Sequence, residues 1–329
     1  MTIVRPSQAP GSKPEPPQAD WIPPSRRLDA AARLVGATGP EARASASRFL
    51  RNAERHGIDA SLMWGVFSAE GPVREVCLAV PGRGSTVTMF LSPANGSGAP
   101  ARAERAASIA AACEGFAGKA HHSPELFQTL PEPTERWSID AFADAGFLFV
   151  GHLLYLQAPL SPLPEPDIRW QEGLRCVPAS AYGQDHRRRL LITALDRTYR
   201  ETLDCPELCG LRSTPNILDS HEGAGRYDPS HWWLLMRGEE PVGCALLSAN
   251  SDTPSMELVY LGLDPGVRGL GLARRMLDHA FAKASEAGVA EITCAVDRRN
   301  EPALSLYRSL GFSPFAERVA LVRKGPAGG

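Results

Sequence analysis

No stretch of this chain approaches the ~18 consecutive apolar residues of a membrane-spanning helix, and its N-terminus lacks the apolar core of a signal peptide. The cytoplasm is therefore the expected location, with no membrane partner. An excess of one charge is missing as well. The 35 basic and 37 acidic side chains leave a formal net charge of -2, which offers no argument for nucleic acid or an acidic surface as partner. Patterned cysteine is absent too. Seven cysteines (77, 113, 176, 205, 209, 244, 294) are scattered, and only Cys205 and Cys209 lie close. No second pair completes a zinc set, so buried thiols without metal are expected in a reducing compartment.

What is present suits a globular protein of about two domains: 329 residues, 43% of them hydrophobic. Residues 1–26 hold seven prolines among polar residues and read as a disordered tail. Residues 27–157 alternate helical and strand-like patterns. Two helices over Leu28–His56 break near Gly39-Pro40, strands follow at 60–67, 74–80 and 86–91, and Ala101–Ala120 is an alanine-rich helix. A strand-like 126–130, a helical 139–145 and an apolar 147–156 complete this first domain. Four prolines between Ala158 and Pro166 predict a stiff linker over 158–168. A second domain covers 169–324, with Cys205–Gly223 read as irregular, and 325–329 form a short tail.

The stretch from Glu257 to Ala287 carries the strongest signal. An apolar run, Leu258–Leu263, reads as a buried strand and ends at Asp264-Pro265-Gly266. Arg268-Gly269-Leu270-Gly271-Leu272-Ala273 then leads into a helix with one apolar stripe. A helix start presents amides without internal partners and a partial positive charge, which attract phosphate. Glycines there let an anion approach the backbone, and Arg268 could add a fixed charge. Close packing of small residues on a strand would account for the same glycines.

A second strand, Glu291–Val296, precedes Asn300, Ala303, Leu306, Tyr307, Gly311 and Phe312. Together the two stretches resemble the GNAT acetyltransferase superfamily: Arg268, Gly271 and Ala273 match its pyrophosphate loop, and Asn300 to Phe312 its following signature. The resemblance spans Gly173 to Lys324. It implies an α/β mixed-sheet acyl-CoA N-acyltransferase fold and an N-acetyltransferase that uses acetyl-CoA as co-substrate, without metal, to modify an amine of a small molecule or peptide.

The resemblance also implies roles. Backbone groups of Leu261, Gly262 and Leu263 would pair with the pantetheine arm, and the segment Arg268–Ala273 with the pyrophosphate. Asn300 would touch the cofactor, though its position equally suits a helix cap. Tyr307 would be the general acid, or a core tyrosine. Glu257, eleven residues before Arg268, is the candidate base, or a solvated strand-start glutamate. His221, His231, Tyr199, Asp204, Asp219, Trp232 and Trp233 lie where acceptor selectivity is usually set, and they form no readable code. A non-catalytic acyl-CoA-binding protein is the alternative. A dinucleotide-binding domain would leave the Asn300–Phe312 signature unexplained.

The first domain is expected to be a second, degenerate copy of the same fold. Gly146-Phe147 matches Gly311-Phe312, and aligning Pro93 with Pro265 sets Ser85 on Glu257. Under that alignment Gly96 and Ala99 replace Arg268 and Gly271, while counting back from the Gly-Phe pair puts Phe142 in place of Tyr307 and Glu135 in place of Asn300.

Overall fold

Turn residues divide the apolar runs into twenty elements, and the computed structural model describes residues 17–326 apart from 69, 161–169 and 252. The first half contains β1 (Asp20–Trp21), α1 (Arg27–Leu34), α2 (Ala42–Arg55), β2 (Met63–Phe67), β3 (Val73–Gly82), β4 (Thr86–Leu91), α3 (Ala99–Ala120), β5 (Leu126–Thr129), α4 (Arg136–Asp144) and β6 (Leu148–Pro159). The second contains β7 (Leu174–Pro178), α5 (Gln184–Thr198), α6 (Thr214–Glu222), β8 (Trp232–Arg237), β9 (Glu240–Ala249), β10 (Ser255–Leu263), α7 (Leu272–Glu286), β11 (Glu291–Asp297), α8 (Glu301–Ser309) and β12 (Ser313–Lys324). No described helix is long and apolar enough to cross a membrane.

All twelve strands form one sheet in the order β1-β2-β3-β4-β5-β12-β6-β11-β10-β9-β8-β7. Among the described residues only β4–β5 and β10–β11 pair in parallel. Read inward from either edge, five strands of one half are followed by the last strand of the other. The halves have exchanged their final strands. At the centre Leu153 of β6 faces Arg318 of β12, its counterpart 165 residues later. The same spacing separates Gly146 from Gly311 and, through the flanking ladders, Leu126 from Glu291. A pseudo-twofold axis therefore passes between β6 and β12, and the two halves repeat one mixed α/β fold in tandem.

The exchange knits the cores together. Val319 and Leu321 of β12 pack with Phe116, Phe127 and Phe142 of the first half, under α3 and α4. Leu156 and Ala158 of β6 pack with Met276, Leu277 and Phe281 of the second, under α7. Each of the buried Val and Leu side chains contributes roughly 1.5–3 kcal/mol to the other half's core. The opposite sheet face is covered by α5 and α6 over Trp232, Leu234 and Leu246, and by α1 over Met63, Val76 and Leu78.

Four expectations change. Asp20–Trp21 pairs with β2 and Ile22 is fully buried, so the tail ends before residue 20; residues 1–16 lie outside the described residues. Two apolar residues among the prolines are enough to add a short edge ladder. The linker loses 158 and 159 to β6, and 161–169 are outside the described residues. The segment read as irregular contains α6, because Pro215 sits in the first helical turn, where it breaks no bond. The inter-half register also shifts. Thr86 faces Leu126 and Ser255 faces Glu291, so Glu257 corresponds to Thr88 rather than Ser85. A bulge in β10, absent from the β3–β4 ladder, and unequal loops beyond the strands separate Pro93 from Pro265.

Leu321 belongs to the C-terminal strand but fills the first half's core. Leu321→Ala should cost about 2–5 kcal/mol, as buried leucine truncations do. Amides of β3 and β9 should lose hydrogen-exchange protection together, which mass spectrometry of the exchanging chain would read.

Candidate active site

Strand β10 builds the site because its two edges diverge in what they bond. Met256, Leu258 and Leu263 point to the core under α7, and Tyr260 packs among the residues under α5 and α6. Between Leu258 and Tyr260 the register against β9 slips by one residue. Pairing with β11 stops at the same place, with Leu258 facing Cys294, whereas β11 runs on beside β6 to Asp297. The strands therefore part beyond Leu258. Leu261, Gly262 and Leu263 remain bonded to Ala245, Cys244 and Gly243 of β9, leaving their other edge to the opening.

Beyond Leu263 the chain turns sharply. The Asp264 carboxylate accepts from Gly266 N at 2.9 Å, closing a single helical turn at Pro265–Val267. Gly269 and Gly271 follow at φ +76° and +71°, a backbone region that favours glycine. A Cβ at either would meet nothing within 4 Å, so the space beside this turn is open. The first amides of α7, from Leu272 and Ala273 onward, have no acceptor within the helix. Leu272 is buried, Ala273 packs on the core, and Leu270 is 46% exposed.

Arg268 is placed differently from a free charge. Its guanidinium donates to the carbonyls of Leu263 (3.0 Å), Glu201 (2.9 Å), Thr198 (3.1 Å) and Arg200 (2.6 Å). Three of these lie at or just beyond the end of α5, where carbonyls lack helical partners. Arg268 thus ties the segment after α5 to the end of β10.

That segment is braced from the other side as well. Asp204 Oδ1 accepts from Asp297 N at 2.7 Å, and Cys205 N donates to Asp297 Oδ2 at 3.3 Å. Arg299 bridges Asp297 (2.6 Å) and Glu207 (2.7 Å). Burial raises the pKa of Asp204. Burial also works upward on Asp297, but the bonds from Arg299 outweigh it and its pKa is lowered. Asn300 caps α8, its Oδ1 accepting from Ala303 N at 3.3 Å, and its amide works to lower the pKa of Asp204 against the larger effect of burial.

Tyr307 sits inside the second core, 6% exposed, with its ring 5.4 Å from that of Phe312. Burial pushes its pKa well up, helped by Cys294 and Asp204 nearby. Glu257 lies on the α5–α6 face, where burial raises its pKa. Tyr155 stands close to it: burial, then the Glu257 charge, raises the Tyr155 phenol. Nothing in the sequence marked Tyr155. It belongs to the first half and reaches this site only because β6 lies beside β11, with Tyr155 facing Ala295.

Residues 195–312 match the family model described as acetyltransferase (GNAT) family. Over these residues the chain is similar to the GNAT acetyltransferases. Among its relatives, a mycothiol acetyltransferase of Thermomonospora curvata is 28% identical over 209 residues, 60% of this chain and 67% of its own. One from Beutenbergia cavernae is 33% identical over 167 residues, 45% of this chain and 55% of its own. A solved GCN5-related N-acetyltransferase from Sphaerobacter thermophilus has the same fold, with a TM-score of 0.56 at 19% identity over 95% of this chain and 97% of its own. The GNAT family places the protein among acyltransferase enzymes.

The residues named for selectivity divide. Trp232 is fully buried under α5 and α6, and Trp233 packs edge-on against His279 at 4.4 Å, so both serve the core. Asp219 pairs with Arg188 at 2.7 Å, and His231 ends the turn before β8. His221 faces inward, its ring 5.4 Å from Tyr260 and its Nε2 3.4 Å from the Tyr199 hydroxyl. Burial, with Arg212 beside it, pushes the imidazole down to about 4, so it is neutral at working pH. Among the described residues no group of three metal-ligating side chains occurs.

Gly271 gives the sharpest check of the turn. Gly271→Val places a branched side chain at φ +71° and fills the open space. CoA binding by the full chain should fall at least tenfold in calorimetry, about the 1.4 kcal/mol of one lost close contact, while the circular dichroism spectrum stays unchanged.

Proposed function

We propose that the protein transfers an acetyl group from acetyl-CoA to the amine of a small molecule, by direct attack in a ternary complex in the second half. The observation that carries this reading is the parting of β10 from β11 directly before a glycine turn and a helix start. The edge of Leu261–Leu263 away from β9, on which the Leu263 carbonyl is held by Arg268, suits an extended amide-bearing arm as an added strand. The open turn at Gly269 and Gly271 suits a pyrophosphate on the first α7 amides. Acetyl-CoA would supply an activated thioester carbonyl. The names of the mycothiol acetyltransferase relatives favour a small-molecule amine over a protein.

Glu257 takes the amine proton in this reading. Its burial makes the carboxylate a stronger base than an exposed glutamate, and Tyr155 beside it can steady the charge. Tyr307 gives a proton to the departing sulfur. Burial keeps its phenol protonated, and its hydroxyl has no hydrogen-bond partner among the described residues. Arg268 and Asn300 act indirectly, by holding the segments that wall the opening. The first half is proposed to carry no cofactor site. Phe142 and Glu135 stand 165 residues before Tyr307 and Asn300, and Pro100 removes an amide donor at the start of α3.

Incubation of the full chain with acetyl-CoA and a panel of amino sugars, aminothiols and short peptides tests the function, with acetylated product read by mass spectrometry. No product with any amine, alongside measurable CoA binding, would favour a non-catalytic binding protein. Glu257→Gln should lower kcat/KM about 10²–10⁴-fold. In the unsubstituted enzyme activity should fall with falling pH through a pKa above the ordinary 4.5, and this acid limb should vanish in the variant. An unmoved limb would assign the base elsewhere. Tyr307→Phe should lower kcat about 10²–10⁴-fold with CoA affinity retained. Unchanged turnover would leave Tyr307 a packing residue.

A further inference from the structure

One helix of the second half is held at both ends by the first. The backbone N–H of Ser213, the N-cap of α6, donates to the Glu125 carboxylate at 3.0 Å. At the other end Arg83 donates to the Glu222 carboxylate at 2.9 Å and to its carbonyl at 3.4 Å. The signs suit the helix: an anion at its positive end and a cation at its negative end. Between them the Ser220 hydroxyl donates to Arg83 O at 2.9 Å, and Arg212 bonds Gly84 O at 3.1 Å and Asn216 O at 2.8 Å. The approach is close. A Cβ on Gly84, at φ +72°, would stand 1.9 Å from Asn216 O. Both grips come from one corner, because Glu125 N itself donates to Ser85 O at 2.8 Å.

The held helix carries His221, whose ring backs Tyr260 on β10, three residues beyond Glu257 and on the same face. Resting on the acetyl-transfer reading, we propose that the first half acts on the reaction as a clamp. Glu125 and the Arg83–Gly84 turn are positioning residues that fix α6, and through His221 and Tyr260 they fix the acceptor side of the site. The half without a cofactor site is thereby a determinant of acceptor binding rather than of CoA binding.

The test compares the full chain with the double variant Arg83→Ala/Glu125→Gln and with Arg83→Lys. Hydrogen exchange of the α6 amides, calorimetric CoA affinity, and KM for glucosamine as the acceptor probe are measured. In the double variant α6 exchange and the glucosamine KM should rise about tenfold, the size of two helix-end charge contacts together. CoA affinity should stay within about twofold, since the clamp touches no α7 amide. Arg83→Lys, which keeps the cation, should recover part of the loss. Unchanged α6 exchange would overturn the clamp. So would faster exchange with an unchanged KM, or a parallel loss of CoA affinity and β10 protection. Should the unsubstituted chain leave glucosamine unmodified, the KM is measured with the best-acetylated amine of the panel instead, and failure of every amine would overturn the acetyl-transfer reading on which the clamp rests.

Discussion

The pairing of β6 with β12 is the constraint on which the rest depends. Antiparallel ladders need their register fixed, and a one-residue slip would turn every side chain to the wrong face. Here each central strand serves two cores at once: Val319 and Leu321 fill the first half, Leu156 and Ala158 the second. A slip at the centre would empty both. On its other edge β6 pairs with β11, and that ladder sets Tyr155 of the first half beside Glu257 of the second.

At the site the backbone does most of the shaping. A single extra residue in β10 coincides with the end of its bonding to β11, and the turn at Gly269 and Gly271 starts a helix just past the opening. Side chains then fix the walls. Arg268 closes the segment after α5, and Asp204, Asp297 and Arg299 tie that segment to the loop before α8. The fully buried Asp297 carboxylate is tolerated because backbone amides of Cys205 and Arg299 and the Arg299 guanidinium satisfy it.

Local features were legible in the sequence. The strand, glycine turn and helix of β10 and α7 follow from short-range spacing, and the strand and helix that carry the Asn300–Phe312 resemblance also lie where they were expected. Features set by distant chain were not. Tyr155 lies over a hundred residues from Glu257, and nothing local says that β6 leaves its own half. Arg268 reads as a ligand for phosphate until the carbonyls beyond α5 are seen around it. Pro215 reads as a break until it is found in the first turn of α6. Trp21 and Ile22 are hidden among prolines, and only the edge of β2 gives them a place.

The exchanged strands make this chain the covalent counterpart of a swapped homodimer. A free dimer must hold its two copies identical, and its assembly depends on concentration. Tethering removes both conditions, because the partner is always present at a high effective concentration. Each copy can then change on its own, provided it still offers its neighbour a strand of the right pattern. Phe142 in place of Tyr307's phenol is a change that no symmetric dimer could make in one subunit alone.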